Sequence, residues 1–454
     1  MSTINRRTFC SMPLAAAAAM PVLTAQTDSS AEPADPGAPK AAIEKWKDMR
    51  FGMFIHWDPV SIVGTEISWS RAARRDFTSG KMGIVPVEVY DNLYRMFNPV
   101  KFNPDEWVQL AKDSGMRYLV FTTKHHDGFC NFDSKLTDYK ITSSKCLYGK
   151  DIVRQLSDAC HRAGMNWGVY YSQPDWHNPD YRNGAAHARY IEYLHGQVRE
   201  LLTTYGPTKT WFFDGLGGKA ADWDAPRLLH MMRELEPDLV INNRAGLPAD
   251  LDTPEQTIGL FQDNRPWETC ATVGAQWAYN PDDVLRPIEE CLHGLVCCAI
   301  GDGNFLFNIG PRPDGRMEPS HADRLRQMGA FLQKYGESIY STRGGPFIAP
   351  DEKKRPENAQ GFALAEGNWW GGSTHKENVI YLHILRWPSE TIELPAIPRK
   401  IIRHHLLTGG RAEVHQAEAG IQVKVAKAHR DAVDTIVKLE LDGPASTIAA
   451  IRPA

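Results

Sequence analysis

Between residues 50 and 311, apolar β-type runs alternate with amphipathic helical stretches, and this alternation constrains the fold more than any other feature. The runs are FGMFIHW (51–57), RYLVFTTKHH (117–126), NWGVYYS (166–172), KTWFFDG (209–215), DLVINNR (238–244) and NFLFNIGP (304–311). Helix-like segments start at Pro104, Asp151, Asp224 and Asp282, and another spans 322–340. Repeated strand–helix units imply a parallel sheet. Six or more favour a closed (β/α)8 TIM-like barrel over an open doubly wound sheet. After Gly344 and Gly345 the pattern changes to short β-type runs joined by turns. The expected organisation is a barrel over 41–345 followed by an antiparallel β-sandwich over 346–454.

Each strand ends in a chemically capable group: His56, the pair His125 and His126, Tyr171 with Asp175 nearby, Asp214, and Arg244. The C-terminal ends of barrel strands meet at one mouth, so these groups should converge. Adjacent strand residues point to opposite faces. One of the two histidines is therefore expected at the mouth and the other behind it, and no metal site is predicted. Asp127 reads as a turn or supporting residue.

The chain has 454 residues, 42% of them hydrophobic and 23% charged, with a net charge of −4. Its length suits more than one domain. The charge balance argues against a nucleic-acid partner, because nothing neutralises phosphates over a broad face. Arg6 and Arg7 precede an apolar run that ends near Ala25 and is too short to span a bilayer. Residues 1–25 are read as an export signal of the twin-arginine type, which places the mature chain in the periplasm or outside the cell with no membrane span. Residues 26–40 are read as a disordered linker. The eight cysteines, seven without Cys10, have irregular spacing and form no disulfide framework.

Asp214 follows Trp211, Phe212 and Phe213 in TWFFDGLGG, which sets a carboxylate against apolar surface at a strand end. Retaining glycoside hydrolysis needs a second carboxyl group roughly 5–5.5 Å away. Glu255 in DTPEQ and Glu268 in PWETC both offer one, and spacing does not choose between them. His56, Trp57, Glu66 and Trp69 form a cluster of hydrogen-bonding and aromatic groups suited to a sugar. No dinucleotide fingerprint, Walker A motif or GxSxG elbow is present, and no cofactor is expected.

The pieces FGMFIHWDPVS, the long stretch from VPVEVYDNLYRMFNPV to KLTDY, GVYYSQPDWHNPDY, GPTKTWFFDG, WETCATV and GNFLFNIGPRPDG resemble the α-L-fucosidases of glycoside hydrolase family 29 over most of 45–345. The resemblance implies retaining hydrolysis of terminal α-L-fucose from a glycan, without a cofactor. It implies that Asp214 is the nucleophile and Glu255 the acid/base, with Glu268 in reserve. It also implies a sugar-contacting set of His56, Glu66, Trp69, His125, His126, Tyr171 and Arg244, and Trp57, Phe212 and Trp267 are further candidates for the sugar site. Asp58 stands where the family usually has Gly, and Phe212 where it commonly has Trp. A related sugar such as an α-L-galactoside differs only at C6, which an apolar wall rejects weakly. The rival readings are a non-catalytic sugar-binding barrel and a metal-dependent hydrolase.

Overall fold

The computed structural model describes residues 35, 37–73, 83–258, 260–349 and 369–452. The proposed signal (1–25) and most of the proposed linker lie outside them. Where that linker is described it is packed chain: Asp35 pairs with Arg233 at 3.0 Å, and the Ala38 N–H donates to Asp250 at 2.7 Å.

Seven parallel strands form one sheet: β1 (Phe51–Ile55), β2 (Tyr118–Lys124), β3 (Asn166–Tyr171), β4 (Thr210–Phe213), β5 (Val240–Ile241), β6 (Glu268–Thr272) and β7 (Asn304–Ile309). Their order is β5-β4-β3-β2-β1-β7-β6. The gap between β5 and β6 is bridged by residues 251–256, held by isolated parallel bridges from Leu251 to Asn242, Asp252 to Trp267 and Glu255 to Cys270. This irregular stave stands where an eighth strand belongs.

The helices are α1 (Lys40–Met49), α2 (Val87–Tyr90), α3 (Pro104–Asp113), α4 (Ile152–Ala163), α5 (His187–Thr204), α6 (Ala220–Trp223), α7 (Ala225–Leu235), α8 (Ile288–Ile300) and α9 (Pro319–Tyr335). Local chemistry sets their ends. Asn103 caps α3 by accepting the N–H groups of Asp105 and Glu106, and Asp151 caps α4 by accepting that of Arg154. Gly164, at φ +66°, closes α4 in the left-handed conformation. The helix expected from Asp282 starts only at Ile288. Pro287 disfavours helical geometry at the residue before it, and the chain stays irregular up to that point.

Strand alternation divides the core in two. Phe54, Tyr118, Val120, Tyr170, Phe212, Cys270 and Leu306 pack together inside the sheet. Their odd-numbered neighbours, such as Met53, Leu119, Val169, Trp211 and Phe305, join the layer that includes Leu110, Leu156, Leu201, Leu228 and Leu295 of the helices. Even-numbered positions on these strands therefore face inward.

The C-terminal region holds two antiparallel sheets. One has the order β12-β15-β10-β9-β8, and the other β11-β14-β13. The strands are β8 (Arg343–Gly344), β9 (Gly371–Lys376), β10 (Val379–Ile384), β11 (Thr391–Leu394), β12 (Ile401–Leu406), β13 (Ala412–Ala417), β14 (Gly420–Val425) and β15 (Thr435–Leu441). Ile380, Leu382, Val437 and Leu439 of the first sheet share a core with Ile392, Leu394, Ile421 and Val423 of the second. The first of these strands, β8, comes two residues before the expected boundary. No helix among the described residues is long and apolar enough to cross a membrane.

Candidate active site

A cavity of about 490 Å³ opens at the C-terminal ends of the parallel strands. His56 follows β1, His125 and His126 follow β2, Tyr170 ends the inward series of β3, and Asp214 follows β4; all five line it. Phe212, Trp69, Arg244 and Glu255 also reach it.

Asp214 is the hub of the floor. Its Oδ2 accepts the Tyr170 hydroxyl at 2.8 Å and lies 3.5 Å from His126 Nε2. Its Oδ1 accepts Arg244 at 3.1 Å. The same guanidinium reaches Glu255 at 2.8 Å. Because the guanidinium is a small rigid fork, it holds the two carboxylates within about 8 Å of each other. The Glu255 side chain is 42% exposed and that of Asp214 15%, so one stands at the rim and the other at the floor. Arg244 is itself held by Thr253, through the hydroxyl at 3.1 Å and the carbonyl at 3.2 Å, and it lies 5.1 Å from the centre of the Phe212 ring.

The three imidazoles are buried, and burial lowers the pKa of each. For His56 the value falls to about 4, although Asn308 and Asp214 pull the other way. For His126 the neighbouring Lys124 adds to the effect of burial. All three are therefore neutral at pH 7. His126 Nδ1 is held by Ser172 Oγ at 2.7 Å and His125 Nδ1 by Ser68 Oγ at 2.6 Å. Asp127 stands behind them: it accepts the Phe129 N–H within its turn and the Tyr90 hydroxyl at 2.8 Å.

Both histidines of the pair line the cavity, with ring centres 4.1 Å apart, which corrects the expectation that they face opposite ways. The strand ends at Lys124, and a turn closed by Gly128 N–H to His125 C=O follows, so strand alternation no longer applies. His125, His126 and Asp214 place one donor atom each within 4.8 Å of one another. The cationic groups of Lys124, 3.4 Å from Asp175, and of Arg244 raise the cost of adding a metal cation there.

Four predicted site residues lie elsewhere. Trp57 and Tyr171 are outward-facing: the Trp57 indole donates to Arg312 C=O and packs on Trp107, and the Tyr171 hydroxyl donates to Gln197. Trp267 is buried, with its indole donating to Gly301 C=O at 3.0 Å. Glu268 faces inward but at the start of β6, where it accepts the hydroxyl of Tyr118 from the start of β2; burial pushes its pKa up to about 8. A fifth, Glu66, is absent from the lining. Its carboxylate accepts the backbone N–H groups of Ile67, Trp277 and Ala278, and burial raises its pKa to about 7. Asp58 caps the turn at 59–62 by accepting the Val60 N–H, which gives the residue after the His–Trp pair a structural use.

Tyr170, Trp277 and Cys270 line the cavity without having been singled out. Tyr170 shares the inward parity of His56 and Asp214, a signal available in the sequence. Trp277 sits on an irregular loop and stands 4.9 Å from the His56 ring.

The family model described as alpha-L-fucosidase matches residues 18–337. The chain belongs to that family, glycoside hydrolase family 29. It is 32% identical to alpha-L-fucosidase isoenzyme 1 from Paenibacillus thiaminolyticus, with a TM-score of 0.76 over 88% of this chain and 99% of that one. A trapped covalent intermediate of an alpha-L-fucosidase from Bacteroides thetaiotaomicron matches with a TM-score of 0.75 and 25% identity, over 90% of this chain and all of that one. The alpha-L-fucosidase of Branchiostoma floridae is 28% identical over 79% of this chain and 82% of its own. The family's fold, a TIM-like barrel with a C-terminal β domain, is the one described above, and the chain is a retaining alpha-L-fucosidase.

Proposed function

We propose that Asp214 is the nucleophile and Glu255 the acid/base in the hydrolysis of terminal α-L-fucose from a fucosylated glycan. The observation that carries this reading is Arg244, which binds both carboxylates at the floor and the rim of one cavity. Asp214 attacks the anomeric carbon, and the bond to the aglycone oxygen breaks as that oxygen takes the proton of Glu255. Water then attacks the same anomeric carbon, gives its proton to Glu255, and the bond from that carbon to the Asp214 oxygen breaks. The rim position of Glu255 suits a group that protonates a departing aglycone. The neutral imidazoles of His56, His125 and His126 offer hydrogen bonds to the sugar hydroxyls. Phe54, Phe212 and Trp277 supply an apolar face for the ring C–H groups and the C6 methyl.

The test uses 2-fluoro-fucosyl fluoride, the compound in the Bacteroides complex. Incubation with this protein should inactivate it, release fluoride and leave one 2-fluoro-fucosyl adduct on the peptide containing Asp214, read by mass spectrometry after digestion. An adduct on another carboxylate overturns the nucleophile assignment.

A further inference from the structure

The run NFLFNIGP forms β7, and its inward position Asn308 is used by none of the steps above. The Asn308 Nδ2 donates to the Trp277 carbonyl at 2.7 Å. A carbonyl oxygen only accepts, so this contact fixes which way the amide points. Its Oδ1 then faces His56 Nδ1 at 2.7 Å. An amide oxygen has no proton to give, so Nδ1 must carry one. A neutral imidazole holds a single N–H, which leaves Nε2 with a bare lone pair. That atom has no hydrogen-bond partner among the described residues, and His56 lines the cavity.

The geometry points to Asn308 as a positioning residue that locks His56 in the Nδ1–H form, so that Nε2 accepts a sugar hydroxyl proton, and ties that ring to the Trp277 wall. The Trp277 peptide is held from both sides, its N–H by Glu66 at 3.0 Å and its C=O by Asn308. One side chain thus sets the hydrogen-bonding sense of a sugar contact and the place of an aromatic surface 4.9 Å from it. The inference rests on the fucosidase reading for its sugar but not for its tautomer.

Two measurements test it. In protein labelled with ¹⁵N-histidine and free of substrate, the His56 nitrogens should show the Nδ1–H pattern. An Nε2–H pattern overturns the proposal whether or not the protein hydrolyses fucosides. Asn308→Asp replaces the amide by a carboxylate of the same shape. The carboxylate still accepts from Nδ1 and favours the charged ring, but it no longer donates to the Trp277 carbonyl. The shift of the acidic limb, not KM alone, therefore reads the effect on His56. The charged ring has no lone pair at Nε2. The other titratable groups facing His56 are Asp214, His125, His126 and Tyr170, and none of them changes. The acidic limb of kcat/KM should therefore move up by a pH unit or more. KM for an aryl α-L-fucoside at pH 6 should rise about tenfold, and the gap to wild type should narrow at higher pH. A wild-type pH profile in Asn308→Asp sinks the proposal. Should that variant fail to fold, Asn308→Ala, which frees both partners, should raise KM without moving the acidic limb; the ¹⁵N measurement on the wild type decides in either case.

Discussion

The two halves of the cavity are built differently. On one side, His56, His125, His126, Tyr170 and Asp214 leave the ends of β1 to β4, and every imidazole among them is buried and anchored at Nδ1. On the other, Arg244 sits on a 3-10 turn, Glu255 on a stave joined only by isolated bridges, and Trp277 on a loop. On the proposed roles, the first half meets the invariant part of the substrate, the fucose itself. On the second, Trp277 closes the sugar pocket, and Glu255 at the rim stands on the side proposed for whatever the fucose is attached to. A rigid ladder suits a fixed ligand, and irregular chain suits a variable one, because loops change without disturbing the hydrogen bonds of the sheet. On the proposed roles, the nucleophile stands on the regular half and the acid/base on the irregular half.

The contrast breaks first at Asp214. Asp214→Gly should lower kcat/KM by roughly 10⁴-fold or more, for good and poor leaving groups alike, since the covalent step needs that carboxylate whatever departs. Near-UV circular dichroism should match wild type, because β4 ends before it and the Arg244 anchors at Thr253 remain. Activity within tenfold of wild type would remove Asp214 from the chemistry.

Glu255→Ala should cost less and depend on the leaving group. For natural glycans the loss should be about 10²–10⁴-fold. For an aryl fucoside whose phenolate departs unaided, the first step should be nearly spared, and azide should restore turnover as a fucosyl azide. Equal losses on both substrates, with no azide rescue, would show that the rim carboxylate does no proton transfer.

The same division governs what the amino-acid sequence discloses. The apolar runs locate six strands and the polar residues at their ends, because a strand buried on both faces must be apolar until it leaves the sheet. They do not locate β6, which reads ETCAT, or the stave LDTPEQ, where neither length nor apolarity marks a strand. Facing is legible only when the count along the strand is kept. Tyr171 and Trp57 each lie one residue from an inward position, and a shift of one residue turns the side chain to the other layer. His125 and His126 escape that rule because the strand has already ended. Trp277 and the Glu66 contact behind it join segments some 210 residues apart through backbone N–H groups, and no local pattern encodes such a meeting.

Glu268 gives the smallest effect on activity and the sharpest test of depth. It lies two residues before Cys270, a cavity-lining position, and shares its inward face, yet it sits among Tyr118 and Asn304 at the opposite end of the strands. Glu268→Gln keeps an acceptor for the Tyr118 hydroxyl, so kcat/KM should stay within about threefold of wild type. Stability should change instead, and with a definite sign. The folded protein holds a proton on Glu268 up to about pH 8, whereas the unfolded chain releases it near 4.5. Folding therefore takes up a proton between those values. The contribution to stability falls as pH rises through that window, by at most about 1.4 kcal/mol per pH unit. Glutamine has no proton to take up. The difference in melting temperature between Glu268→Gln and wild type should thus move in favour of the variant from pH 5.5 to pH 8.5. A pH-independent difference would mean that Glu268 is ionised within the fold. A loss of activity as large as that of Glu255→Ala would mean that the chemistry reaches below Cys270 and that the rim does not hold the proton donor.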